Sequence, residues 1–572
     1  MLFTFFLLLF TLIKMDNKTR IFEFLYRNHG SGHNINQIAR LVNISVGSSF
    51  KILKDLQKNG YVAAKHEKNA ILYYINLNEK TKNLFYKLTL DSNRKDKKKT
   101  KIICTIGPSS NDPKIIRKLA DAGMDCARIN TSHCNEKSAL KIMHNIRKVS
   151  LDIPILLDIP GPKIRLNNLT RPIRIKTGKI IKFTFDKSKN NELYLDTELH
   201  RSVKKGHWIL IDDGKIELLV LKSKRNSLNC KALNDGIITK NKGLNFPDSF
   251  VDYEGVQEKD RFWVKFAIKN DIDFIGTSFV RSVSDIKKLN MLLGYGSLSD
   301  VVGDKIKVIA KIETKEAVKN YREIIRESYG VMIDRGDLAS ETRFELLPRL
   351  QKRIIDECNR QGKPVIIATQ MLDSMVASSQ PTKAEISDIA NSVLDGASCL
   401  MLSAETAAGK YPVESVRTMS KIAKEIEDDT ESKELESTYN LTFTDCIVNA
   451  ISKIDSLIDI DSIVVITSGG YTARMLASKK LRPEIVAVTT KKRILRQMHI
   501  LWGVVPIIIE GSIDNITNKE KKKAILAALE KGIITKTNQI ILTGSVFHFK
   551  SKRTNMLEMH KVNEFLDFVK NE

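Results

Sequence analysis

An α/β chain built on a closed (β/α)8 barrel is predicted by two observations. Four apolar runs of strand length, Val308-Ile-Ala-Lys-Ile-Glu-Thr314, Met332-Ile-Asp-Arg-Gly-Asp-Leu338, Ile366-Ile-Ala-Thr-Gln-Met371 and Met401-Leu-Ser-Ala-Glu-Thr406, each stop at one or two charged or hydroxyl residues: Lys311 and Glu313, Asp337, Thr369, and Glu405. Each run is followed by a helically patterned segment, which is how parallel strands buried on both faces read in a sequence. Four more runs lie upstream: Lys101-Ile-Ile-Cys-Thr-Ile-Gly107, Asp125-Cys-Ala-Arg-Ile-Asn130, Ile155-Leu-Leu-Asp-Ile-Pro160 and Asp273-Phe-Ile-Gly-Thr-Ser-Phe279. Eight such strands close a barrel whose chemistry sits at the strand C-termini.

Taken in order, the first thirteen residues are uncharged, too short to span a bilayer, and lack a basic n-region and a small-residue cleavage site. Residues 1–14 are therefore expected to be a mis-assigned start, with translation from Met15. Residues 15–92 read as a winged helix-turn-helix. Helices are expected at 19–28 and 35–42, with a third capped by Ser45 and running to Asn59, where Gly60 supplies the stop. Tyr61-Val-Ala-Ala64 and Ile71-Leu-Tyr-Tyr-Ile-Asn-Leu77 then pair around the polar tip Lys65-His-Glu-Lys-Asn69. This order resembles the winged helices of transcription regulators. In such a fold Ser45, Gly47, Ser48, Lys51 and Lys54 would face DNA, and Lys65 and Lys68 would reach phosphates. The same module also serves as a protein-docking or dimerising unit. Residues 93–100 are a basic linker. The barrel occupies 101–165 and 246–425, interrupted over 166–245 by short alternating segments such as Ile180-Ile-Lys-Phe-Thr-Phe185 and His207-Trp-Ile-Leu-Ile211, an inserted all-β lid. A C-terminal α/β domain is expected over 440–572, with strands at 462–467, 485–489, 505–509 and 539–543.

Length and composition agree. A chain of 572 residues exceeds what one core supports. Its seven cysteines are scattered with no C-x-x-C pair, several within apolar runs, as for free thiols in a reducing cytoplasm rather than disulfides or a zinc site. The net charge is +26, and residues 14–101 hold 19 Lys and Arg against 7 Asp and Glu, a net +12 in a small part of the chain. That asymmetry suits a module meeting a polyanion, duplex DNA through residues 15–95, although a lysine-rich proteome would give the same excess.

The chemistry is first legible in the strand ends. Glu313 and Asp337 close neighbouring strands, so their carboxylates can converge, and hard oxygen ligands of this kind hold Mg2+. Lys311, two residues before Glu313, lies on the same side of its strand and brings an ammonium beside the metal. Together they can neutralise a phosphoryl group in transfer. The Gly336 and Asp337 amides open a helix, a place where an anionic group can dock. No G-x-x-x-x-G-K-[ST] occurs, which excludes a P-loop enzyme.

Ile102-Ile-Cys-Thr-Ile-Gly-Pro-Ser109, Gly161-Pro-Lys-Ile-Arg165, Lys311-Ile-Glu313, Arg335-Gly-Asp-Leu338, Ala368-Thr-Gln-Met-Leu372 and Pro381-Thr-Lys-Ala-Glu385 resemble pyruvate kinases in order and spacing, from about residue 99 to the C-terminus. The resemblance implies phosphoryl transfer from phosphoenolpyruvate to ADP, with Mg2+ or Mn2+, in a homotetramer. It implies that Lys311 stabilises the phosphoryl group and the enolate, that Glu313 and Asp337 bind the metal, and that Arg128 contacts the phosphate. Gly336 and Asp337 would meet the substrate carboxylate, Thr369 would position the proton source, and His133, Arg165 and Lys242 would bind the nucleotide. The loop Thr467-Ser-Gly-Gly-Tyr-Thr472, with Thr467, Ser468, Gly470 and Thr472, resembles the family's effector-phosphate loop, with Gly469 replacing a usual hydroxyl.

Three departures stand out. The family's Asn-Phe-Ser-His-Gly reads Asn130-Thr-Ser-His-Cys134. Asp334 replaces the alanine before Arg335, adding a carboxylate near the metal that either weakens binding of the substrate carboxylate or turns outward. The monovalent-cation ligands are matched by Asn130, Ser132 and Asp158, but the nearby glutamate is Lys163, an exchange that in the family goes with independence from K+. Two other readings compete: a DNA-binding regulator keeping the kinase-like body as a metabolite sensor, and a metal-dependent enolate enzyme such as a pyruvate aldolase. The retained Lys311, Glu313, Asp337, Thr369 and Arg128 weigh against the first, and the lid and C-terminal domain against the second. The enzyme is expected in the cytoplasm, with no membrane partner.

Overall fold

The computed structural model of the chain describes residues 17–28, 31–67, 70–76, 81, 98–166, 169, 171–185, 193–195, 199–212, 214–240, 242–249, 251, 255–295, 304–427, 441–513, 516–546 and 554–569. The apolar segment 1–14, Lys68 and linker residues 93–97 lie outside them. Two compact units result, residues 1–97 with 528–537, and residues 98–527 with 538–572.

In the first unit, helix Asn17–Arg27, β1 (His33–Asn34), helices Ile35–Leu41 and Val46–Lys58, β2 (Val62–Glu67) and β3 (Ala70–Ile75) follow in order. The strands form an antiparallel sheet in the order β1-β3-β2. Asn34 and Gln37 make a reciprocal capping box, and the Ser45 hydroxyl accepts from the Ser48 amide. Gly60 takes φ +77°, where a side chain would be strained, and so ends the third helix. Ile21, Phe22, Leu25, Ile38, Leu53, Leu56 and Val62 bury the apolar faces. The expected hairpin tip is shorter than its composition suggests. Lys65, His66 and Glu67 pair with Leu72, Ile71 and Ala70, because exposed strand residues can be polar without leaving the ladder.

The second unit is built on a closed barrel of β4 (Lys101–Thr105), β5 (Cys126–Asn130), β6 (Ile155–Ile159), β15 (Phe274–Thr277), β16 (Lys307–Ile312), β17 (Gly330–Asp334), β18 (Val365–Ala368) and β19 (Cys399–Leu402). All neighbours are parallel. Side chains of one parity (Ile102, Ala127, Leu157, Val308, Ala310, Val331) pack beneath the surrounding helices, and those of the other (Ile103, Cys126, Leu156, Ile309, Met332, Ile366) fill the barrel. Two residues further on, the inward column turns polar: Cys126 leads to Arg128, Leu156 to Asp158, Ile309 to Lys311 and Met332 to Asp334. The period of two along a strand thus carries four charged groups to one end of the barrel.

Between β6 and β15 lies the lid, β7 (Ile173–Ile175), β8 (Ile180–Thr184), β9 (Leu193–Tyr194), β10 (Trp208–Ile211), β11 (Ile216–Lys224), β12 (Ser227–Ala232), β13 (Gly236–Ile238) and β14 (Leu244–Asn245). Its main sheet runs β14-β10-β11-β12-β8-β9 over a core of its own that includes Phe183, Ile209, Leu218 and Leu228. Entry and exit strands lie side by side, with Leu166 N donating to Lys242 O (3.0 Å) and Leu244 N to Ile164 O (2.9 Å). The C-terminal sheet runs β22-β21-β20-β23-β24, from β20 (Ser462–Ile466), β21 (Glu484–Thr489), β22 (Val504–Ile508), β23 (Gln539–Gly544) and β24 (Met556–Lys561). The antiparallel edge strand β24 went unread in the sequence, since its mixed Met, Glu, His and Lys residues give no apolar run. All seven cysteines are free. Among the described residues no helix is long and apolar enough to cross a membrane.

Candidate active site

A cleft of about 560 Å3 opens where the barrel strands end beneath the lid. It is lined from the barrel by Arg128, Asp158, Lys311, Asp334, Asp337 and Thr369, and from the lid side by Lys163, Arg165, Asp212 and Lys242. Gly336, Asn130, Ser132 and His133 also reach it. Glu313 lies just behind it, fully buried. The residues that sequence reasoning assigned to substrate, nucleotide and metal are therefore brought to one place.

Lys311 is the centre of its charge network. Its Nζ lies 3.0 Å from Glu313 Oε2, 3.0 Å from Asp334 Oδ2 and 3.9 Å from Asp158 Oδ2, and donates to Ser278 Oγ at 3.2 Å. Burial works against an ammonium here, but Asp158, Glu313 and Asp334 outweigh it and hold the pKa well above the ordinary value. Arg128 donates from Nε and Nη2 to Asp158 Oδ2 (2.9 and 2.6 Å) and from Nη1 to Thr105 Oγ1 (2.8 Å). The Asp334 side chain turns inward, because it shares the parity of Met332. The sequence already held that signal.

Glu313 is gripped by an unusual turn. Phe279, at φ +56°, donates its amide to Glu313 Oε1 at 2.6 Å. The other oxygen, Oε2, has the Lys311 ammonium at 3.0 Å but no aligned hydrogen bond; buried Asp158 Oδ1 also lacks a hydrogen bond. Burial first, then repulsion from Asp334 and Asp337, pushes the Glu313 carboxyl up to about 8 against the pull of Lys311. Asp337 accepts an ion pair from Lys163, whose ammonium also sits 5.4 Å from the Phe279 ring centre. Gly243 makes room for that lysine, since a Cβ there would lie 2.2 Å from Lys163 Cε. One oxygen each from Glu313, Asp334 and Asp337 falls within 4.8 Å of the others, a donor set of hard carboxylates that fits a divalent cation.

The helix-opening amide expected to meet a substrate carboxylate is engaged within the protein. The Gly336 amide is not free: it donates to Thr369 Oγ1 at 2.9 Å, while that hydroxyl donates to Ala368 O at 2.6 Å. Thr369 and Gln370 are both left-handed, at φ +69° and +54°, a cost of about 1–3 kcal/mol for each residue so strained. Arg335 holds the turn, with Nη2 donating to Thr369 O (2.9 Å) and Gln370 O (3.2 Å) and Nη1 bound to Asp388 (2.7 Å). Sequence reasoning gave Arg335 no role of its own. Of the lid-side groups, Lys242 pairs with Asp212 at 2.8 Å, and Lys240 joins the cleft unforeseen. Glu405 is structural, accepting from the Leu372 and Ser403 amides (3.1 and 2.7 Å). The C-terminal loop lies apart: Thr467 Oγ1 accepts from Gly470 N (3.0 Å), Gly470 opens helix Tyr471–Ser478 at φ +75°, and the Thr472 and Thr554 hydroxyls share a 2.5 Å hydrogen bond.

Residues 97–416 match the model of the pyruvate kinase barrel domain, and residues 445–560 that of the pyruvate kinase alpha/beta domain. The chain belongs to the pyruvate kinase family. It is 38% identical to the pyruvate kinase of Staphylococcus aureus strain MRSA252 over 483 residues, 82% of this chain and 81% of that one. It is 36% identical to the Sporosarcina psychrophila pyruvate kinase over 485 residues, with the same coverage of each. The crystal structure of a pyruvate kinase from Cryptosporidium parvum superposes with a TM-score of 0.74 at 32% identity, covering 82% of this chain and 97% of that one. Neither pyruvate kinase domain model reaches the helices and hairpin of residues 17–75.

Proposed function

We propose that this enzyme transfers the phosphoryl group of phosphoenolpyruvate to ADP, giving pyruvate and ATP, and that it does so without K+. The observation that carries the reading is the ion-pair network at the barrel mouth, where Lys311 is held charged among three carboxylates beneath a lid. Glu313 and Asp337 would hold Mg2+ or Mn2+, which when bound supplies charge to the phosphate oxygens and the developing enolate. Lys311 and Arg128 face the phosphoryl group as its P–O bond to the enolate oxygen breaks and a terminal phosphate oxygen of ADP takes it in line. The same ammonium then opposes the enolate charge. Thr369, at the substrate face, orders the donor that delivers a proton to the enolate carbon, its hydroxyl being too weak an acid to act alone. Substrate carboxylate at the Gly336 and Asp337 amides would displace the Thr369 hydroxyl from Gly336. His133, Arg165 and Lys242 line the side where ADP enters.

Independence from K+ is supported by Lys163, whose ammonium already lies in the cleft with Asn130, Ser132 and Asp158. A fixed cation there neutralises substrate phosphate and repels a monovalent ion. Residues 17–75 have the element order of a winged helix, and we assign them a duplex-DNA partner; we also extend to this chain the family's homotetramer and an effector phosphate at Thr467–Thr472. A coupled assay of ADP-dependent pyruvate formation tests the activity. With Mg2+ and tetramethylammonium as the counter-ion, full turnover is expected, and a rise of tenfold or more on adding K+ would contradict the role of Lys163. No pyruvate under any ionic condition would leave the sensor reading in its place.

A further inference from the structure

The cluster at the barrel mouth contains one carboxylate more than two-ligand metal binding requires. Asp334 closes β17, is 6% exposed, and shares its inward parity with Met332. Its carboxylate is held at 3.0 Å by Lys311, as is that of Glu313, while Asp337 is taken by Lys163. In this ion-paired network the four carboxylates of Asp158, Glu313, Asp334 and Asp337 face the three cations of Arg128, Lys163 and Lys311. At this crowd of carboxyl groups Glu313 Oε2 is buried without an aligned hydrogen bond. Oxygens of Glu313, Asp334 and Asp337 lie within 4.8 Å of one another, close to the span of donors around one ion with bonds of about 2.1 Å.

We infer that Asp334 is a third protein ligand of the divalent cation, so that this chain binds the metal through Glu313, Asp334 and Asp337 before substrate arrives. The inference rests on the metal-site reading of Glu313 and Asp337. The cation displaces the ammonium of Lys163 from Asp337 and shares Asp334 with Lys311. A carboxylate on the metal no longer stands as free charge facing the substrate carboxylate, which is how the site tolerates an acid beside Gly336. If Asp334 stayed on Lys311 alone, it would repel that carboxylate and add nothing to metal affinity.

The test is Mn2+ binding to the full chain without substrate, followed by electron paramagnetic resonance of free and bound ion, with 17O-water broadening to count exchangeable waters. A six-coordinate ion on three carboxylates keeps about three waters. Asp334→Ala should raise that count by one and weaken binding on the order of 10–100-fold or more, since even groups one shell further out cost that much. Asp334→Asn, close in shape, guards against misfolding, with circular dichroism confirming the fold. If both variants bind Mn2+ as the parent does and Asp334→Ala lowers the KM for phosphoenolpyruvate, Asp334 is only a partner of Lys311 and the inference fails. If Glu313→Gln also leaves Mn2+ affinity unchanged, the metal-site reading itself is wrong.

Discussion

At the scale of single residues, Lys311 is the side chain on which most of the chemistry converges, and replacing it is the sharpest probe. Methionine keeps its length and apolar stem but removes the charge that opposes the phosphoryl group and the enolate. Lys311→Met is expected to fold and to lose turnover by on the order of 10²–10³ or more, as when one preorganised charge partner of a transition state is removed. Steady-state kcat within tenfold of the parent would take Lys311 out of the mechanism. Lys163→Glu exchanges the tethered ammonium for a carboxylate in the same cleft. Activity is then expected to depend on K+, seen as a rise on replacing tetramethylammonium by K+ that the parent lacks. Part of the site could be read from the chain because inward residues recur at every second strand position: Glu313 was legible as a charged strand end and Lys311 from its place two residues before it, whereas Arg128 and Asp158 came only from the resemblance to pyruvate kinases, although they obey the same period. The inward turn of Asp334 obeys the same rule, and only its novelty obscured it. Arg335 was beyond reach, since its value lies in holding a strained turn at Thr369 and Gln370, and strain is a property of backbone angles that no spacing encodes.

Elements bring a second question, how the lid communicates with the barrel mouth. The exit strand β14 places Asn245 so that its Nδ2 donates to Glu341 Oε1 at 2.8 Å, and Glu341 ends helix Arg335–Glu341, which carries Asp337. Burial pushes the Glu341 carboxyl up to about 7, with the Asn245 hydrogen bond pulling the other way. A carboxyl raised from 4.5 holds its proton more tightly in the folded state. Its contribution to stability is therefore complete below about pH 4.5 and is lost as pH rises through about 7. Glu341→Gln keeps an oxygen for Asn245 and cannot ionise. It should leave the melting temperature at pH 5 nearly unchanged and raise it at pH 8 by about 1–3 °C, given the shallow response of Tm in large domains. Equal shifts at both values would show that packing, not titration, sets the effect. Barrel strands and lid were legible as elements because buried parallel strands and alternating antiparallel strands leave opposite patterns. The hairpin boundary at Lys65 and the edge strand β24 were not, because exposed strands carry the same residues as loops.

At the scale of the whole molecule, an ordinary catalytic body is joined to a small basic module that its relatives' domain models do not reach, and the surface of that module argues for what it meets. The solvent face of helix Val46–Lys58 presents Val46 (47% exposed), Phe50 (46%), Gly47, Lys51 and Lys54, while Ser48 is half-buried with its amide on the Ser45 hydroxyl. Sequence reasoning chose the lysines and Gly47, but it also chose Ser48 and passed over Val46 and Phe50. In the proposed complex with duplex DNA, apolar side chains on this face would suit thymine methyl groups in a major groove, and the Lys54 ammonium, 5.2 Å from the Phe50 ring centre, would meet phosphate. Phosphate contacts release counter-ions, so affinity should fall steeply with salt, with a slope of about 0.9 for each phosphate neutralised. The full chain is expected to retard a duplex of about 20 base pairs at low salt. Lys51→Gln with Lys54→Gln should weaken that binding and lower the slope of log K against log salt by about 2, while pyruvate formation stays within twofold of the parent. Should the unaltered chain bind no duplex at low salt, a docking or dimerising role for residues 17–75 becomes the better account, and the exposed Val46 and Phe50 are then the residues to test for it.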